Sequence, residues 1–128
     1  MRNFSRLLLD THIFLWWRLG ADRIRAEVVE SIREAEVVYL SAASLWEISI
    51  KSALGRLELP APASEGARDS GFTELPITFR HAEAVAALPL HHRDPFDRML
   101  VAQSQVEELT LVTRDRKMRS YDVEILGV

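Results

Sequence analysis

The run "RLLL" at 6–9 is apolar along its length instead of at every second position, and "VVYLS" at 37–41 and "TLVT" at 110–113 also read as strands. A strand with one wet face alternates, whereas a strand covered on both faces does not. Runs this short are strands and not buried helices. They predict a parallel sheet with helices packed above and below it. The intervening segments carry helical spacing. "THIFLWWRLG" reads as a helix closing near Gly20, and "ADRIRAEVVESIREAE" (21–36) as a second, with Ile24, Val28 and Ile32 four apart. Ser41 or Ser44 can cap a third helix through "ASLWEISIKSALGRL", with Gly55 near its end.

Further on, "ELPAPASEGARDSG" (58–71) is rich in Pro, Ala, Gly and Ser and reads as a surface connection with room for one helical turn. "FTELPIT" is a short strand, and "FRHAEAVAALP" a helix stopped by Pro89. Asp94–Pro95 then opens a helix that runs to about Leu109, with the cap residue followed by proline at the first helical position. "RDRKMRSY" is a helical turn and "VEIL" a last strand. Strands alternating with helices over 128 residues predict one α/β domain, residues 1–128, with a mainly parallel sheet flanked by helices on both faces. Ligand sites in such sheets lie beyond the carboxyl ends of strands, where strand order reverses.

The acidic residues point to that edge. Asp10 directly follows "LLL", and Asp115 follows "TLVTR". Either each caps the element after it, or both open onto one crevice between neighbouring strands. On a wheel of about 100° per residue, Glu47 shares a face with Ala43, Trp46, Ile50, Leu54 and Leu57, a stripe expected to be buried. Its plain partner is Lys51, one turn on. Asp94 is the cap of its helix, and Asp97 occupies the capping-box position or serves a ligand. Gathered together, Asp10, Glu47, Asp97 and Asp115 would repel one another, a conflict that a divalent cation removes. Oxygen donors suit Mg2+ or Mn2+, and such a site suits phosphodiester hydrolysis. His91 and His92 lack an ordered zinc spacing.

Cysteine is absent, which removes disulfides, thiolate nucleophiles and cysteine zinc sites, and fits a reducing cytoplasm. Asp10 interrupts the first apolar run too early for a signal peptide. No run approaches the roughly 18 apolar residues of a membrane span. Net charge is −3, so nothing draws the whole chain to nucleic acid. The 14 arginines against two lysines leave local binding of phosphate open.

The stretches "LLLDTHIFLWW", "SAASLWEISIKSALGRLEL", "LPLHHRDPFDRMLVAQ" and "LVTRDRKMRSYDVEIL" occur in the order seen in PIN domains, and the chain resembles their VapC-type toxins. "HRDPFDR" followed by "LVTRD" is the specific part of the likeness; "DTH" alone is not. The resemblance implies a metal-dependent endoribonuclease in which an acidic cluster holds Mg2+ or Mn2+ and a metal-activated water attacks RNA. It assigns the catalytic roles to Asp10, Glu47, Asp97 and Asp115. Asp10 and Asp97 are the firmest metal ligands, and Asp115 and Glu47 complete the cluster or hold the water. It also implies a homodimer and a small antitoxin that blocks the site. The chain departs from the pattern at Lys117, where some members carry a further acid, and in a shorter segment after Pro60.

Beside the acids, Thr11 and Thr113 either bond a ligand or serve as turn residues. Arg98, with Arg93, Arg114 and Arg116, either holds RNA phosphate or offsets the local acids. Trp16 and Trp17 either stack on bases or pack in the core. Two other classes compete. A phospho-acceptor module needs an acidic pair after the first strand and a late lysine, and a dehalogenase-like phosphatase needs Asp-x-Asp; "LLLDTH" supplies neither acidic arrangement. A non-catalytic PIN-like binding module would bind RNA or protein without cleaving.

Overall fold

Leu7, Leu8 and Leu9 are each fully buried, so β1 (Arg6–Leu9) is covered on both faces as its sequence requires. In the computed structural model, which describes residues 5–91 and 93–128, β1 is the middle of five parallel strands. His92, one of the two histidines weighed for zinc, lies outside the described residues, as do residues 1–4. The other strands are β2 (Val37–Ser41), β3 (Thr73–Leu75), β4 (Thr110–Thr113) and β5 (Glu124–Gly127), in the spatial order β3-β2-β1-β4-β5. Leu8 pairs with Tyr39 on one side and Leu111 on the other. Chain order runs outward from β1 through β2 to β3, then restarts on the opposite side with β4. The reversal therefore falls between β1 and β4, and the site is expected at their carboxyl ends.

Alternate residues of the sheet feed two cores. Leu7, Leu9, Val38, Leu40 and Val112 meet helices α1 (Thr11–Leu19), α2 (Ala26–Glu34) and α3 (Ala42–Ala53). Leu8, Leu75 and Leu111 meet Leu88 and the buried side of α6 (Pro95–Glu107), beside which α5 (Phe79–Ala86) packs. Helices thus cover both faces, as expected.

Three elements differ from expectation. The segment 21–36 is not one helix. A 3-10 turn at Ala21–Arg23 comes first, and then Ile24 takes an extended conformation that drives its side chain into the core before α2 starts. A real helix, α4 (Ala63–Asp69), occupies the segment read as a connection. The α3 stripe is only partly buried: Ala43, Ser44, Glu47 and Ile48 face inward, whereas Trp46 is 63 % and Leu54 61 % exposed. α3 ends where Gly55 adopts a φ of +71°, which lets the amides of Gly55 and Arg56 reach back to the carbonyls of Ser52 and Lys51. Among the described residues no helix is long and apolar enough to cross a membrane.

Candidate functional site

Asp10 occupies the step from β1 to α1, and both of its oxygens are engaged. Oδ1 accepts from the Ile13 amide at 2.9 Å, which caps α1, and Oδ2 accepts from the Thr113 hydroxyl at the end of β4. The Asp10 amide donates to Val112 O at 3.0 Å, so the residue is tied to β4 through main chain as well. Asp10 is 5 % exposed. Burial raises its carboxyl pKa above the ordinary value of 3.8, against the opposing pull of the Thr113 and Ile13 hydrogen bonds and the nearby His12. Capping and a role at the crevice are therefore not alternatives here: the same carboxylate does the first and lies where the second is expected.

Thr113 links two of the acids. Its hydroxyl donates to Asp10 and accepts from the Asp115 amide at 3.1 Å. Asp115, half-buried, caps the 3-10 turn Arg116–Ser120 by accepting from the Lys117 amide at 2.9 Å. Thr11, also buried, donates from Oγ1 to Ser44 Oγ at 2.9 Å and so ties the start of α1 to α3. Ser41, not Ser44, caps α3. Ser44 was thus visible in the sequence only as a spare cap; its position three residues before Glu47 on one helical face was the available signal.

Glu47 is buried, and Lys51 Nζ donates to its Oε2 at 3.0 Å, the pair expected from the sequence. Asp94 caps α6, accepting from the Phe96 amide at 2.8 Å and the Asp97 amide at 3.3 Å. Asp97 is half-buried in the first turn of α6, which runs back towards β4 and so starts at the carboxyl edge of the sheet. α3 packs against both α1 and α6. The fold hence carries the four acids on neighbouring elements, with the Asp10 carboxylate and the Asp115 main-chain amide both bonded to the Thr113 hydroxyl. Among the described residues no three acidic or histidine side chains are gathered at metal-binding spacing.

Arg98, weighed above for RNA phosphate or for offsetting the local acids, is bonded to the protein's own main chain. Its guanidinium donates to the carbonyls of Pro89 at 2.9 Å, Val85 at 3.1 Å and Leu88 at 3.4 Å, and to the Tyr121 hydroxyl at 3.4 Å. It closes the carboxyl end of α5, where a cation suits the helix dipole. Arg98→Ala is expected to lower stability by about 2 kcal/mol, since hydrogen bonds from a charged donor are lost. A lower urea midpoint with an unchanged slope would record this.

Comparison with known proteins agrees with this architecture. Ribonuclease VapC22 of Mycobacterium tuberculosis is 29 % identical over 124 residues, covering 91 % of this chain and 92 % of that protein. A chain in the crystal structure of VapBC2 from Rickettsia felis, bound to a DNA fragment from their promoter, superposes with a TM-score of 0.72 at 11 % identity, over 95 % of this chain and 98 % of that one. A chain of VapBC-5 from Mycobacterium tuberculosis, a member of the VapBC family of toxin–antitoxin systems, gives 0.62 at 19 % identity, over 97 % and 99 %. At such identities the structural likeness establishes the fold. Residues 7–124 match the PIN domain family, a span that includes all four candidate acids, and the chain therefore belongs to that family.

Proposed function

We propose that the chain is a VapC-type endoribonuclease, the toxin of a toxin–antitoxin pair, which hydrolyses RNA phosphodiesters with the help of Mg2+ or Mn2+. The observation that carries this reading is the hydrogen-bonded run Asp10–Thr113–Asp115, centred on a buried carboxylate at the point where strand order reverses. The similarity to Ribonuclease VapC22 and to VapBC complexes supports it. The same proposal includes a cognate antitoxin, a cytoplasmic location and a homodimer. Self-association is supported by the apolar cleft that Trp46, Ile77, Phe96 and Met99 line, where Trp46 stands largely exposed.

The donors fit a divalent cation in kind. They are all oxygens, and Asp10 is a carboxylate whose burial penalises its charge. Mg2+ commonly uses one or two carboxylates and keeps several waters, so a preformed cluster of three is not required. Asp10, Asp97 and Asp115 would hold the cation. When bound, it supplies polarisation of the phosphate and a lower pKa for water. The remaining work falls to this chain. Thr113 fixes the Asp10 carboxylate by donating to Oδ2. Lys51 fixes the orientation of Glu47 through Oε2, and Glu47 is the acid assigned to hold the attacking water and take its proton. Thr11, through Ser44, holds α1 against the helix that carries Glu47.

The test is cleavage of single-stranded RNA by the purified chain. EDTA is expected to abolish it, and added Mg2+ or Mn2+ to restore it. Cleavage that persists in EDTA removes the cation from the proposal. RNA binding with no cleavage under any metal would instead make the chain a non-catalytic PIN-like module.

A further inference from the structure

Arg114 lies between the two residues that organise the acids, Thr113 and Asp115, and its side chain is exposed. Its guanidinium carbon sits 5.5 Å from the centre of the Trp16 ring. Trp16, on α1, is half-buried and packs against the core, so the ring is a fixed floor and not a mobile surface group. Resting a guanidinium on an aromatic face contributes only about 0.5–1 kcal/mol at an exposed site. The ring offers no oxygen acceptor to the five N–H donors. Among the described residues the ring is the partner of this side chain. Arg98, by contrast, places its donors on main-chain carbonyls.

Resting on the reading of the site as an RNA-cleaving centre, we propose that Arg114, seated on Trp16, holds a backbone phosphate of the RNA strand next to the scissile bond. A cluster of acids repels a polyanion on approach, so a strand that must pass them needs a cation at the rim. A guanidinium held against a ring keeps N–H donors for a further ligand, and two of them match two oxygens of a phosphate. Arg114 adjoins the residue that bonds Asp10, and Trp16 is on the helix that Asp10 caps, so the platform belongs to the same rim. A phosphate contact of this type positions the strand without reading its sequence.

The experiment uses an RNA fragment that the wild-type chain cleaves, end-labelled, with KM and kcat measured between about 50 and 200 mM salt. Arg114→Ala is expected to raise KM roughly fivefold at the low end, to leave kcat within about twofold, and to make the dependence of log(1/KM) on log[salt] shallower by about 0.7, the share of one phosphate on a single strand. Arg114→Lys keeps the charge and is expected to retain the slope while recovering part of the KM. Arg114→Ala with wild-type KM and wild-type slope overturns the proposal and leaves the guanidinium to an acidic protein partner. A fall in kcat alone overturns it too, because it would place Arg114 in the chemical step. If the wild-type chain cleaves no RNA with any divalent metal, the proposed function fails first and this subsite with it.

Discussion

Asp10→Asn is expected to abolish RNA cleavage and, in the same molecule, to raise thermal stability. The loss of activity follows from removing the charge that the proposed function gives to a cation, an effect on the order of a thousandfold. The gain follows from burial, which raises the folded-state pKa of Asp10 above 3.8. Such a group contributes stability in its neutral form, fully below about 3.8, and loses it as pH rises through the folded-state value. At neutral pH the ionised carboxylate therefore weighs against the fold. Asparagine is its neutral isostere and keeps an oxygen for the Ile13 amide, so the α1 cap survives. A gain of about 1 kcal/mol, or roughly 4 °C for a chain of this size, is the expected scale in EDTA. It should shrink as the pH is lowered through the folded-state value and be gone below about 3.8. Added Mg2+ should raise the melting temperature of the wild-type chain and not of the variant, by binding linkage. Asp97→Asn should share the loss of cleavage but lower stability slightly, by about 0.5 kcal/mol, because it removes a negative charge from the positive end of α6. Full activity in either variant would take that residue out of the site.

Phe14→Ala is expected to be the most damaging of the single core truncations on α1. The ring is 1 % exposed and meets Phe72 edge-on at a centroid distance of 6.2 Å. Phe72 in turn meets Trp17 at 5.7 Å, so the cluster joins α1 to the stretch after α4. Truncation should lower stability by about 3–5 kcal/mol, a large part of the roughly 5–15 kcal/mol of an ordinary domain. Urea unfolding followed by tryptophan emission would measure it. A loss below about 1 kcal/mol would mean that the face of the sheet under α1 is not close-packed.

The strands that carry the site were legible because burial on both faces leaves no room for polar alternation, which "LLL" and "TLVT" display directly. The start of α6 was legible from Asp94–Pro95, because a cap and a proline act locally. What stayed hidden was decided by distant partners. α4 looked like a connection because its glycine reads as a breaker. Gly66 is instead a buried position inside the helix, with the flexible Arg18 side chain lying over it: a Cβ there would come 2.9 Å from Arg18 Nε, which can shift aside. Arg98 looked like a ligand group because nothing in the sequence marks the carbonyls of residues 85, 88 and 89 as needing a donor. The wheel placed Glu47 on the inward face correctly, yet it could not tell that Trp46 and Leu54 flank the buried side instead of filling it. The acids were legible as residue types at strand ends and helix starts; the bridge through Thr113 required the pairing of β1 with β4.

That pairing also sets which part of the centre can yield. Asp10 is fastened to the innermost strand, and its amide is bonded across to Val112. Displacing it means opening the whole sheet, as costly as unfolding the domain. Glu47 and Asp97 ride on helices, which can tilt or slide without breaking a single rung between strands. On the proposed function, the centre would have one immovable jaw and one adjustable jaw, and accommodation of differently shaped RNA would fall to the helical side.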